Sequence, residues 1–192
     1  MKFFKQVRLY AKLVATCLLL FSCNKDDDGK TGADSSVTIA DGRIAFEVSG
    51  YQEAVLEGDV AYYLNNSYDI KYFQVSDEGG IPQGEVMWNI RFEQNSSEPI
   101  ALPEPGEYPI VQGLANTDDL TSFNATISVW TDVMTETGTT FGGNNGAVNG
   151  TLKIVSNTDD TVKGTYSFEA YSSDGQKITV TKGQFAAPKY AW

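Results

Sequence analysis

The stretch from Ala147 to Ala187 constrains the fold more than any other part of the chain. Val148, Gly150, Leu152 and Ile154 share one parity, and Asn157-Thr158-Asp159-Asp160 then breaks the run. Val162, Gly164, Tyr166, Phe168 and Ala170 share the next parity, Ser173-Asp174-Gly175-Gln176 turns the chain, and Ile178 and Val180 resume. Side chains of an extended strand alternate between two faces, so one apolar parity marks a half-buried antiparallel strand. Asp-Gly between alternating runs signals a hairpin, because Gly accepts the positive φ that such turns need. A three-stranded β-meander is therefore predicted. Gly183 shifts the inward parity between Val180 and Phe185, which predicts a β-bulge.

The same alternation recurs upstream. Ile44, Phe46 and Val48 alternate with Arg43, Ala45 and Glu47, and Ala54 to Tyr62 does likewise. Tyr68 to Val75, Val86 to Phe92 and Phe123 to Val129 are further strand-like runs. No helical period exceeds two turns. Nine or ten short strands divided by Gly, Asn, Asp and Pro turns predict an all-β domain. The dry faces of two sheets must meet, so the expected fold is an antiparallel β-sandwich of jelly-roll or immunoglobulin-like type. An antiparallel β-barrel is the alternative. Residues 36–192 are expected to form a single all-β domain, long enough to bury about two thirds of its unfolded surface.

Two segments interrupt the pattern. Leu102-Pro103-Glu104-Pro105-Gly106-Glu107-Tyr108-Pro109 carries three prolines, which do not join a central ladder. It is expected to lead into a short edge strand near Tyr108 to Val111. Thr131 to Gly146, rich in Thr and ending Gly142-Gly143-Asn144-Asn145-Gly146, is expected to be a long loop. It lacks the helix and the nearby Lys that a phosphate-cradling Gly loop needs.

The first residues read as an address. Lys2, Lys5, Arg8 and Lys12 precede an apolar core from Leu13 to Phe21. That core is about ten residues, well short of the roughly 20 a membrane span requires, so residues 1–22 are expected to be a signal peptide. Its end, Leu20-Phe21-Ser22-Cys23, resembles the bacterial lipobox, with Phe21 bulkier than usual at its place. The resemblance implies cleavage before Cys23, a diacylglyceryl thioether on that residue and acylation of its new amino group. Residues 23–35 are expected to be a lipidated, flexible acidic tether, because nothing in them can be buried. Lys25-Asp26-Asp27-Asp28 resembles the export signal of Bacteroidota surface lipoproteins, which implies display on the outer leaflet of the outer membrane. With Cys17 removed and Cys23 lipidated, no thiol remains for a disulfide or for thiolate chemistry. The tether does not read as an EF-hand, since its twelfth position from Asp26 is Val37. At the other end, Gly164-Thr165-Tyr166-Ser167-Phe168 and Val180-Thr181-Lys182-Gly183-Gln184-Phe185 resemble the C-termini of small, uncharacterised Bacteroidota lipoproteins. That resemblance implies no activity.

Little chemistry is open to such a chain. It has no histidine, which excludes imidazole bases and most zinc or iron sites. Glu47, Glu57, Asp59, Glu85, Glu93 and Glu169 could in principle pair for glycoside hydrolysis, but each has polar strand parity, where solvated charge is the ordinary explanation. No catalytic residue and no cofactor is assigned, and the protein is not expected to be an enzyme. Asp118-Asp119, Asp159-Asp160 and Asn144-Asn145 fall at turns, where a structural Ca²⁺ is conceivable, but turns favour these residues for backbone reasons alone.

Four of the 14 basic residues leave with the signal, so ten face 25 acidic ones, a formal net charge of −15. Such a surface repels nucleic acid and anionic headgroups. The membrane is then met through the lipid on Cys23. Outward aromatics could stack on sugar rings. Tyr63 and Tyr72 in one hairpin, and Trp130, out of phase with Phe123, Ala125, Ile127 and Val129, are the candidates. Asp160-Thr161-Val162 resembles the O-glycosylation acceptor of exported Bacteroidota proteins, which implies a glycan on Thr161. Three function classes stay open: a glycan- or protein-binding surface module, a structural envelope lipoprotein, and a barrel carrying a small apolar ligand.

Overall fold

The alternating runs form strands largely where the pattern places them, although the run read from Tyr68 becomes strand only at Lys71. The computed structural model describes residues 37–77, 81–83, 86–113, 118–132 and 137–191. The expectations for the signal peptide, Cys23, Lys25 to Asp28 and Glu85 lie outside these residues. The described chain has eleven strands: β1 (Arg43–Gly50), β2 (Ala54–Asn65), β3 (Lys71–Asp77), β4 (Ile81–Gln83), β5 (Val86–Ser96), β6 (Gly106–Val111), β7 (Phe123–Asp132), β8 (Thr137–Gly142), β9 (Val148–Asn157), β10 (Thr161–Tyr171) and β11 (Lys177–Pro188).

The pairing runs β5-β3-β2-β1-β11-β10-β9-β6-β7, and β7 pairs back onto β5 from Met87↔Trp130 to Glu93↔Asn124. Nine strands thus close into a barrel. The sandwich expectation gives way here to its alternative, because a ring of strands hides one dry face as well as two stacked sheets do and needs no edges. One pair, β6 with β7 at Ile110↔Phe123 and Val111↔Asn124, is parallel, so the barrel is mixed. β4 continues along β5 beyond β3, and β8 continues along β7 beyond β6.

Two expectations about the interruptions are corrected. β6 is not an edge strand: it lies between β9 and β7. Pro109 is tolerated because its flank toward β7 has no partner until Ile110 meets Phe123. Thr137 to Gly142, placed in a loop by its polar residues, is strand β8, which extends the wall along β7 and buries Phe141.

The interior is filled with rings. Phe46, Phe73, Trp88, Phe92, Phe123, Tyr166, Phe168 and Phe185 are buried, and Phe92 lies 4.7 Å from Tyr166, 6.0 Å from Phe168 and 6.3 Å from Phe185 between ring centroids. The meander contributes three of them, Tyr166, Phe168 and Phe185. Its register slips where expected: Tyr166 faces Gly183 and Phe168 faces Val180, with Lys182 at φ 53° in the bulge. A Cβ on Gly183 would strike the Tyr166 ring, so the glycine there makes room for it. Tyr62 crosses one end of the barrel, its hydroxyl donating to the Asp159 carbonyl at 2.5 Å.

Candidate functional site

The outer face of the β5–β7 pair is unlike the rest of the barrel wall. Inward residues Trp88, Ile90 and Phe92 on β5, and Phe123, Ala125, Ile127 and Val129 on β7, are buried in the core. The opposite parity brings Asn89 beside Ser128, Arg91 beside Thr126 and Glu93 beside Asn124. β8 adds Thr140, whose hydroxyl lies 3.0 Å from that of Ser128. These positions carry amides, hydroxyls and the Arg91–Glu93 ion pair, and they line a hollow of about 250 Å³.

The β8–β9 turn makes one wall. Gly142 and Gly143 both take positive φ, 71° and 57°, and the Gly143 amide donates to the Ala125 carbonyl at 3.0 Å. A Cβ on Gly142 would come within 2.5 Å of that carbonyl, and one on Gly143 within 2.7 Å of the Thr126 hydroxyl. Only glycines let the turn press this close to β7, and they hold Asn144 and Asn145 over the hollow. The Gly-rich segment is therefore a wall of the site.

A second, smaller notch of about 30 Å³ lies beyond Glu93 and Asn124, which line both spaces. It is bounded by Gln112, Gly113, Asp119 and Ser122 among others. Hydrogen bonds from the Thr121 hydroxyl, the Thr121 amide and the Ser122 hydroxyl hold the Asp119 carboxyl below the usual range, so it stays ionised. Arg91 Nε lies 3.3 Å from Glu93 Oε2, and Asn95 donates to Glu93 Oε1 at 2.7 Å.

Asn124 is the telling residue. It faces outward yet is only 8% exposed, and its Nδ2 is buried without a hydrogen-bond partner. An unpaired buried amide donor costs about 1–3 kcal/mol, so its presence needs a reason. The other unpartnered buried atoms among the described residues, Trp88 Nε1 and Tyr166 Oη, belong to core residues. Burial, with Asp77 adding to it, pushes the Tyr166 hydroxyl up, so it stays protonated.

Of the expected aromatic contacts, Trp130 lies on this face. It is half-buried at the next outward position after Ser128, with its indole against Gly138 of β8. Tyr63 stacks on Tyr190 at 4.6 Å, and Tyr72 is half-buried beside Asn65 and Asn95. The two tyrosines are thus on the β2–β3 side, apart from the hollow, and among the described residues no aromatic strip joins them to Trp130.

The candidate carboxylates are mostly tied to cations: Glu47 to Lys182 at 2.9 Å, Asp59 to Arg43 at 2.5 Å and Glu169 to Lys177 at 2.6 Å. Asp118 accepts from the Ser96 hydroxyl and from the Ser97 amide and hydroxyl, as a turn carboxylate does. Among the described residues no three His, Cys, Asp or Glu come together to hold a metal. Thr161 is half-buried as the first residue of β10, and its amide donates to the Thr158 hydroxyl at 3.0 Å.

The hollow itself escapes sequence reading, since its lining comes from β5, β7, β8 and a turn. The signal it leaves is compositional: Asn124, Thr126 and Ser128 occupy an outward parity without a single charge. No family model, curated protein or solved structure matches the chain.

Proposed function

We propose that this chain is a lipid-anchored, surface-displayed protein whose barrel binds glycan, without catalysis, in the hollow on the outer face of β5 and β7. The observation that carries the reading is Asn124, a buried amide left unpaired beside a concave surface of amides and hydroxyls. Sugar hydroxyls both donate and accept, and planar amides offer both functions at fixed spacing. A ligand oxygen entering the hollow gives Nδ2 the acceptor that the protein does not. Trp130, on the same face, offers an indole to a sugar ring.

A carrier of a small apolar ligand is less well supported, because the barrel axis is occupied by Phe92, Tyr166, Phe168 and Phe185. The anchor on Cys23, the export signal from Lys25 to Asp28 and the outer-membrane address belong to the same proposal and rest on the sequence alone.

Asn124→Ala separates a binding role from a structural one. It removes an unpaired donor, so the denaturant midpoint is expected to stay at or above that of the parent. Binding to neutral polysaccharide, measured by affinity electrophoresis, is expected to weaken at least tenfold. A clearly lower midpoint with unchanged binding would make Asn124 a structural residue and remove the reading.

A further inference from the structure

We infer that the site takes an internal stretch of an uncharged polysaccharide chain, and neither a single sugar nor a chain of uronic acids. The inference rests on the glycan reading and specifies its ligand. Length is the first argument. The outward row Asn124, Thr126, Ser128 and Trp130 covers six residue steps of β7, about 20 Å at strand spacing, which is several sugar rings long. The large hollow and the small notch meet at Glu93 and Asn124, so one ring seated in the hollow sends a neighbouring substituent into the notch. Asn124 lines both spaces, and a ligand that bridges them sets an acceptor beside its unpaired Nδ2.

Charge is the second argument. Among the described residues lining the two spaces, Arg91 is the one cation, and Glu93 neutralises it at 3.3 Å. Asp119 adds a negative charge at the notch. A carboxylate or sulfate on the ligand would meet no spare positive charge there, and the acidic chain around it repels anions further. Neutral hydroxyls suffer neither penalty.

Calorimetric titration of the full-length protein in a sugar-free detergent tests this. The probes are glucose, galactose, mannose and xylose, their homo-oligomers of two to six residues, and oligomers of the corresponding uronic acids. One neutral series is expected to gain at least tenfold in affinity from monosaccharide to tetrasaccharide, and its uronate counterpart to bind at least tenfold more weakly. Gln112→Ala, at the notch, is expected to abolish the gain with length and to spare the weak monosaccharide binding. Equal affinity for monosaccharide and oligomer, or preference for a uronate, overturns the inference and leaves a glycan site standing. Heat from none of the probes overturns both.

Discussion

Replacing Phe168 by Ala lowers the free energy of unfolding by about 3–5 kcal/mol, read as a fall in denaturant midpoint at unchanged slope. Phe168 is 3% exposed and faces the barrel interior from the middle of β10. Its ring stands edge-on to Phe92 at 6.0 Å and beside Tyr166 at 6.4 Å. Across the ladder its neighbours are Gly150 and Val180. Gly150 has no side chain to move into the space, and the surrounding rings are held by their own strands. The cavity therefore persists, which places the loss toward the upper part of that range. A midpoint equal to the parent's would mean that the faces of the meander are assigned the wrong way round.

Cys23→Ala is expected to move the protein from the membrane fraction to the soluble one. Each acyl methylene contributes about 0.8 kcal/mol on insertion, so one chain holds a protein marginally and several hold it durably. The net charge of −15 of the proposed mature chain opposes anionic headgroups, and no helix among the described residues is long and apolar enough to cross a membrane. Fractionation with a carbonate wash reads the outcome, and retention of the variant in the membrane would reject lipidation at Cys23. Replacing Asp26, Asp27 and Asp28 by Ala should keep the anchor but remove cleavage by protease added to whole cells. Unchanged cleavage would reduce the acidic run to a spacer.

What could be read from the sequence was local. The inward parities of β1, β2, β5, β7, β9 and β10 follow from alternation alone, and the bulge before Phe185 follows from one misplaced glycine. Asp174-Gly175 marks its turn because Gly175 has φ 81° there. Closure was not legible, because alternation records which face is dry and not which strand lies alongside. The β5–β7 pairing that makes the ring joins Met87 to Trp130, across a chain separation that no pattern encodes. β8 was missed since Thr137, Thr139 and Thr140 show no apolar parity, and β6 was misplaced because its proline argued for an edge. The out-of-phase Trp130 was visible, but its ladder neighbours, Met87 of β5 and Gly138 of β8, come from other strands of the chain.

The most direct measurement of the glycan site is a heteronuclear NMR titration of the protein with the best-binding neutral oligosaccharide. The side-chain amides of Asn89, Asn124, Asn144 and Asn145 and the indole N–H of Trp130 are expected to shift together and saturate at one ligand per chain. The Trp88 indole, inside the barrel, should stay fixed. Shifts at Trp88 with the outer-face amides unmoved, or no saturable shift with any neutral glycan, would contradict a binding site on the outer face of β5 and β7.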